Sequence, residues 1–384
     1  MQQTSRNRKV HTTTQRGGLA TSTLILNSLE IRNFRAFRDL KIEHLGRVNL
    51  LVGKNNVGKT SLLEAIHLYA SRASTPTFIW EIMRTRQEVK QRFVNVRDML
   101  AALKYLFYGR NDIKPGLQPI QIGPINSPQE MLSIAVDWSV TEIRDGTLHT
   151  RPLEPGEDYT ADNLVPRFTI QAAGTALSYP IDPSLPQGIL RLNSNEIPCI
   201  LIPAHGLNGQ HLTELWDGIA LTKLQADVLA ALRLIAPGLV DLNFVSTPLS
   251  GGEHIPVVKI TDIDERLPFY SLGDGMLRTL DISLALVNAK NGILLIDEFE
   301  NGIHYTVQPD LWRLIFQVAR RLNVQVYATT HSWDCIEGFQ KAAQADDQNE
   351  GMLIRLEYKK GEVAVTLFDE RRLGIATRER IEVR

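Results

Sequence analysis

The chain has 384 residues, 43% of them hydrophobic, which is enough to bury a large core and, by length, to fill about two or three domains. A formal net charge of −1 gives no global attraction to nucleic acid or to acidic membranes. The two cysteines, Cys199 and Cys335, make neither a disulfide framework nor a metal site. No apolar run reaches membrane-spanning length, so a cytoplasmic protein with no membrane partner is expected.

Residues 1–22 are rich in Thr, Ser and Gln, carry Arg6, Arg8, Lys9 and Arg16 without an acidic residue, and lack the apolar stretch of a signal peptide. They read as a disordered basic tail. Arg47-Val48-Asn49-Leu50-Leu51-Val52 then reads as a short buried strand. The next residues, Gly53-Lys54-Asn55-Asn56-Val57-Gly58-Lys59-Thr60, fit G-x-x-x-x-G-K-[ST], and Leu62, Leu63, Ile66, Tyr69 and Ala70 repeat at helical spacing. Strand, glycine loop and helix form the context in which inward-turned backbone N–H groups and a helix N-terminus bind phosphate. Gly53, Asn55, Asn56, Gly58 and Ser61 are expected around the phosphates of ATP. Lys59 is expected to reach the β- and γ-phosphates, with the Thr60 hydroxyl helping to hold Mg²⁺.

Farther along, short helices are expected at about 78–107, strands near 131–143, 166–171 and 189–202, and a helical segment from about 211 to 236. Within that segment Thr222-Lys223-Leu224-Gln225 resembles a capping box, and Pro237-Gly238 ends the helix. Residues 84–110 hold Arg84, Arg86, Lys90, Arg92, Arg97, Lys104 and Arg110 among Phe93, Tyr105, Phe107 and Tyr108. That pattern suits either a surface tracking a phosphate backbone or a solvated helix face with its aromatics in the core, diluted by Glu88 and Asp98.

Ser271-Leu272-Gly273-Asp274-Gly275 precedes a helical pattern through Met276, Leu280, Leu284 and Val287. Its glycines make a second anion-binding helix N-terminus, which in a chain that already has a phosphate loop is most useful on a partner's nucleotide. The apolar run Gly292–Ile296 is expected to be a strand covered on both faces. It ends in Asp297-Glu298, where α/β sheets bind ligands. Asp297 would complete the Mg²⁺ environment, and Glu298 would polarise the water attacking the γ-phosphate. A third parallel strand, Val324–Thr330, ends in His331-Ser332, placing His331 to contact the γ-phosphate. A hairpin is expected from Met352–Tyr358 and Val363–Phe368, turning at Lys360-Gly361.

Together these motifs resemble the ABC-type ATPases of the RecF/SMC and overcoming-lysogenisation-defect (OLD) group, often described as AAA-family ATPases. Ser28-Leu29-Glu30-Ile31-Arg32-Asn33-Phe34-Arg35-Ala36-Phe37 is similar to that group's opening strand. Glu300-Asn301-Gly302-Ile303-His304 is similar to its D-loop, and His331 to its switch histidine. Leu249-Ser250-Gly251-Gly252-Glu253 spells the commoner ABC signature more closely than residues 271–275 do. It runs into a proline-containing strand, His254–Ile260, and reads instead as a hairpin turn.

The resemblance implies an α/β P-loop NTPase of ABC type, with a central mostly parallel sheet, an N-terminal antiparallel β lobe and a helical lobe. The implied division is a discontinuous ATPase domain over 23–369 and a C-terminal tail over 370–384. Residues 23–72 and about 270–369 would form the nucleotide-binding core, with 73–269 as an elaborated lobe insert. Ser271, Gly273 and Gly275 would complete the site of a homodimeric partner in trans.

Residues 73–270 show no sustained heptads of the kind that SMC proteins insert. The 53 residues after His331 leave no room for a Toprim nuclease domain. No Q-loop glutamine stands out; Gln210, not far past an expected strand end, is the position weighed for it. The expectation is an ATP-hydrolysing switch that dimerises around ATP–Mg²⁺ and regulates a separate effector, such as a Toprim nuclease, in DNA repair or anti-phage defence. A RecF-like DNA-binding repair ATPase is the alternative. A transporter motor fits the opening strand and irregular insert less well, and a GTPase lacks its Asn-Lys-x-Asp motif.

Overall fold

Runs of apolar β-formers set the centre of the molecule. The structure is a computed structural model that describes residues 24–383 apart from 73–74, 90–92, 155, 160–162, 173, 184–195, 247–253, 346–347 and 349. The basic tail and the Leu249–Glu253 segment, with Lys90 and Arg92, therefore lie outside the described residues.

The first half contains β1 (Leu29–Phe34), β2 (Phe37–Ile42), β3 (Val48–Val52), α1 (Lys59–Ala70), α2 (Thr75–Thr85), α3 (Val96–Leu103), β4 (Ile120–Gly123) and β5 (Leu132–Arg144). It continues with β6 (Thr147–Pro152), β7 (Leu164–Ala172), β8 (Thr175–Pro180), β9 (Cys199–Ile202), α4 (Gly209–Asp217) and α5 (Gln225–Arg233). The remainder contains β10 (Leu239–Ser246), β11 (His254–Ile260), β12 (Leu267–Pro268), α6 (Asp274–Asn288), β13 (Ile293–Ile296), α7 (Gln308–Leu322) and β14 (Gln325–Thr329). Last come α8 (Trp333–Gln344), β15 (Gly351–Lys359), β16 (Glu362–Asp369) and α9 (Glu370–Arg378).

A six-stranded sheet in the order β16-β15-β3-β14-β13-β9 runs through the core. Its strands are parallel except β16, which returns antiparallel along β15. β3, β13 and β14 are buried along their whole length, as parallel strands covered on both faces must be. Because side chains alternate across a strand, each strand feeds two cores. Leu50, Val52, Leu294, Ile296, Val326 and Ala328 join the cluster that holds α4 to α8. Leu51, Ile293, Leu295 and Tyr327 join the cluster of α1, α2, α3 and the second sheet.

That second sheet is antiparallel in the order β2-β1-β4-β5-β7-β8, with β6 on β5. A three-stranded sheet, β10-β11-β12, lies against α4 and α5. Two polar side chains inside the central sheet are fully partnered. Asn49 Nδ2 donates to Gly46 O and Val326 O, and Gln325 Nε2 donates to Leu26 O and Gly46 O, which fixes the entry into β3 without leaving buried donors unpaired.

Several expectations need correcting. The helical stretch 211–236 is two helices, α4 and α5, separated at Leu221, whose φ of 62° is left-handed. Thr222 Oγ1 accepts from Leu224 N at 3.2 Å, but Leu224 is the N-cap and α5 has no side-chain cap bond, so the capping box does not form. Of the strand expected over 189–202, the described part pairs only at Cys199–Ile202; Pro198, with no N–H to give, contributes its carbonyl to Ile293 N. The hairpin at Lys360-Gly361 is present, with positive φ at both turn residues. After it, Asp369 caps α9, which buries Leu373 and Ala376.

Candidate active site

β3, β14 and β13 are parallel neighbours, so the loops leaving their C-terminal ends emerge along one edge of the sheet. This edge is where open α/β sheets bind ligands. The phosphate loop leaves β3, Asp297-Glu298 follows β13, and His331 follows β14. A cavity of about 980 Å³ opens there, lined by Asn55, Asn56, Gly58, Lys59, Thr60, Ser61, Asp297, Glu298 and His331. Arg35, Ala36, Arg86, Tyr108, Arg110, Tyr358 and Gly361 complete its wall.

Lys59 is almost buried, 6% exposed. Its Nζ donates to Gly53 O at 2.7 Å and Lys54 O at 3.1 Å, and lies 3.4 Å from His331 Nδ1. Burial lowers its pKa from the ordinary lysine value, opposed by Asp297, Glu300 and Glu298. A buried ammonium held by two carbonyls and a histidine ring, with no carboxylate in hydrogen-bond contact, is poised for an anion. Thr60 Oγ1 donates to Asp297 Oδ2 at 3.0 Å, and Thr329 Oγ1 donates to Asp297 Oδ1 at 2.6 Å. This hydroxyl–carboxylate pair suits Mg²⁺, a hard cation that keeps several waters and needs few protein oxygens beside a substrate's phosphates. Among the described residues no group of three or more His, Cys, Asp or Glu could hold a metal by itself.

Glu298 sits in a left-handed turn, φ 52°, which costs a non-glycine residue about 1–2 kcal/mol. Its N–H donates to Thr329 Oγ1 at 2.7 Å. Its carboxylate accepts from Asn301 Nδ2 at 2.8 Å and lies 4.0 Å from His331 Nε2. Glu300 Oε1 accepts from His331 N at 2.8 Å, so the residues after β13 also set the loop after β14. A carboxylate in this place, beside a lysine and a histidine, can act as a base toward a water held in the cavity.

Of the residues expected to bind phosphate, Gly53 contributes its carbonyl to Lys59, and the others line the cavity. Ser271, Gly273 and Gly275 are not among the lining residues of their own chain's cavity. Ser271 and Gly273 are exposed, and Ser271 Oγ donates to Pro268 O at 2.7 Å. The stretch packs on the D-loop: a Cβ on Gly275 would stand 2.7 Å from Gly302 O. Gln210 lies on α4 and donates to Glu214 Oε1, away from the cavity wall.

The 84–110 stretch spans the end of α2 at Thr85 and α3 from Val96, short helices as expected. Its aromatics divide between roles. Phe107 is buried and Phe93 packs on Trp80, while Lys104 and Arg110 both approach the Tyr105 ring.

Sequence reasoning missed a charged support behind α1. Glu64 is buried on α1 and pairs with Arg35 at 2.8 Å and Arg86 at 2.6 Å, and Arg35 also pairs with Glu88 at 2.7 Å. Burial raises the Glu64 pKa, opposed by both arginines. The signal available was Glu64 itself, a carboxylate among Leu62, Leu63, Ala65 and Ile66 of the helical repeat. Thr329 and Asn301 were also missed as supports for Asp297 and Glu298; the polar end of the otherwise apolar 324–330 strand is the mark that could have found Thr329.

Two family models match the chain: an AAA ATPase domain over residues 25–138 and the "AAA domain, putative AbiEii toxin, Type IV TA system" over residues 251–334. An ATP/GTP phosphatase of Helicobacter pylori is 23% identical over 342 residues, covering 82% of this chain and 87% of that one. The DNA replication and repair protein RecF of Thioalkalivibrio sulfidiphilus is 46% identical over 54 residues, but these cover only 14% of this chain and 15% of RecF. Among solved structures, an SMC head bound to the C-terminal winged-helix domain of ScpA aligns over 90% of this chain and 97% of that one, at 10% identity and a TM-score of 0.49.

The phosphate loop, the paired carboxylates, the two AAA family-model matches and the ATP/GTP phosphatase relative make the chain an ATPase similar to the RecF/SMC group. It binds nucleotide and hydrolyses ATP. Among the described residues no helix is long and apolar enough to cross a membrane.

Proposed function

We propose that this ATPase is a switch that closes into a homodimer around ATP–Mg²⁺ and thereby regulates a separate effector in DNA repair or anti-phage defence. Lys59, with the loop from Gly53 to Ser61, holds the phosphates. Thr60 and Asp297 hold the metal, which when bound draws charge from the phosphates. Glu298 takes the proton of the attacking water, and His331 senses the γ-phosphate. One observation carries the reading: the helix N-terminus at Ser271, Gly273 and Gly275 lies outside its own chain's cavity, with Ser271 and Gly273 exposed. A second nucleotide site needs that N-terminus, and a partner copy brings one. The toxin–antitoxin wording of the C-terminal family match supports a defence role.

The test is Glu298→Gln. It is expected to bind ATP normally, to turn over about 10²–10⁴-fold more slowly, and to accumulate as an ATP-dependent dimer in light scattering. Wild-type turnover would remove Glu298 from the base role, and a slow variant that stays monomeric with ATP would remove the dimer.

A RecF-like DNA-binding ATPase is the second reading, favoured by the local match to RecF and by exposed Arg84, Arg97 and Arg110. It requires turnover stimulated by double-stranded DNA, with the stimulation fading steeply as salt rises. Turnover indifferent to DNA leaves the protein-coupled switch.

A further inference from the structure

Arg278 lies one turn into α6, the helix that begins just after Gly273. It is an arginine among apolar neighbours, with only 4% of its surface exposed. Its guanidinium does not end on a carboxylate. Nη1 donates to Pro203 O at 2.9 Å, and Nη2 donates to Asp297 O at 2.5 Å and Glu298 O at 3.0 Å. The three carbonyls belong to the loop after β9 and to the turn that carries both carboxylates of the site. Burial lowers the guanidinium's pKa, opposed by Asp281, Asp297, Glu300 and Glu298. Burying such a charge is costly, and with Nε left without a hydrogen-bond partner the Nη bonds to the three carbonyls are what offset that cost and tie those segments together.

What they hold is the turn at Glu298. That residue's left-handed φ persists only if its surroundings over-determine it. Its N–H is taken by Thr329, its carbonyl accepts from Asn301 N and from Arg278, and its carboxylate accepts from Asn301 Nδ2. Asn301 Nδ2 also donates to Ala204 O, next to the Pro203 carbonyl that Arg278 takes.

We infer that Arg278 is a positioning residue for Glu298: it clamps the turn carrying the base to the helix whose N-terminus faces a partner's phosphate, so that seating this N-terminus sets the aim of the base in the same chain. This rests on the proposed role of Glu298 and adds a device to it. Lys59 and Thr60 make no bond to Arg278 among the described contacts, so ground-state nucleotide binding should be spared.

The experiment is a double-mutant cycle on turnover of the full chain, using Arg278→Ala, Glu298→Gln and the pair. Arg278→Ala should lower kcat about 10–100-fold with KM for ATP changed less than about threefold, as befits an effect confined to the transition state. In the Glu298→Gln background the same change should lower the residual single-turnover rate less than about twofold, because there is no base left to aim. Arg278→Lys keeps the charge but not the fork, and should fall between wild type and Ala.

Equal losses in both backgrounds would mean that Arg278 only supports the fold, and an unchanged kcat in Arg278→Ala would overturn the inference directly. Glu298→Gln turning over at the wild-type rate would instead sink the base assignment, whatever Arg278 does. If Arg278→Ala does not fold, Arg278→Lys and Arg278→Gln in the two backgrounds decide by the same comparison.

Discussion

Among the described residues two helix N-termini are introduced by glycine, at α1 and α6, and they differ in how far their own chain completes them. At α1, Gly58 has a φ of 108°, and a Cβ there would meet the Phe37 ring at 3.0 Å and Ala36 at 3.2 Å. The next residue is the nearly buried Lys59, with Asp297 and Glu298 across the cavity. At α6, Gly273 has a φ of 90°, and a Cβ there would meet nothing within 4 Å. Both positions use a conformation that glycine adopts at little cost. The first is roofed by β2 and furnished with Lys59, Asp297 and Glu298, whereas the second is open at Gly273, carries Asp274 in its first turn and packs at Gly275 on Gly302. We read the open N-terminus, in a chain that already has a furnished one, as the half-site that the proposed partner copy would use.

The largest expected effect breaks the furnished end. Lys59→Ala removes the buried ammonium, and kcat/KM for ATP should fall at least about 10²-fold, as when an electrostatic donor is taken from a reacting centre. Nucleotide titration should show weakened binding as well. Retention of more than about a tenth of wild-type turnover would show that the cavity is not the ATP site.

A smaller pair of changes sharpens the comparison. Gly58→Ala adds a positive-φ penalty of about 1–2 kcal/mol to contacts with Phe37 and Ala36, so both the melting temperature and ATP affinity should drop. Gly273→Ala, at φ 90° and ψ 166°, meets a backbone penalty of about 1–3 kcal/mol in open space. It should leave ATP binding near wild type and, if the strain is expressed in the assembled site, lower turnover about tenfold. Should Gly273→Ala weaken ATP binding by isolated chains as much as Gly58→Ala does, the two N-termini would not have separate duties.

The furnished end was legible in the sequence because its signals are local. A glycine loop between an apolar strand and a helical repeat, and an apolar run ending in Asp297-Glu298, each fit in about a dozen residues. The supports were not legible because they join distant segments through backbone groups. Arg278 reaches the carbonyls of Pro203, Asp297 and Glu298, and Thr329 reaches Asp297; no residue pattern announces that a carbonyl will be the acceptor. Arg278 and Asp281 were nonetheless readable as anomalies, two charges set among Met276, Leu280 and Leu284 beyond the first turn of the helix. The break between α4 and α5 escaped because Leu221 is apolar yet fully exposed in a left-handed turn, which contradicts both its hydropathy and its usual backbone.

The smallest expected effect concerns stability against pH, where α1 and α6 should pull in opposite directions. His67 on α1 packs edge-on against Phe78 with Nδ1 unpartnered, and burial lowers its pKa from 6.5 to about 3. Between those values the unfolded chain binds a proton that the folded chain refuses, so this residue makes stability rise with pH. Asp281 on α6 is raised by burial from 3.8 to about 6, opposed by its bond from Leu207 N and by Arg278. There the folded chain keeps a proton that the unfolded chain has lost, so stability falls as pH rises through that window. Each slope is at most about 1.4 kcal/mol per pH unit, and from about pH 4 to 6 they offset one another. His67→Gln should therefore expose the Asp281 slope and lose stability as pH rises from 4.5 to 6, whereas Asp281→Asn should expose the His67 slope and gain it. Urea midpoints at three pH values in that interval read both signs, and variants with parallel slopes would show that burial on the two helices does not act as their environments require.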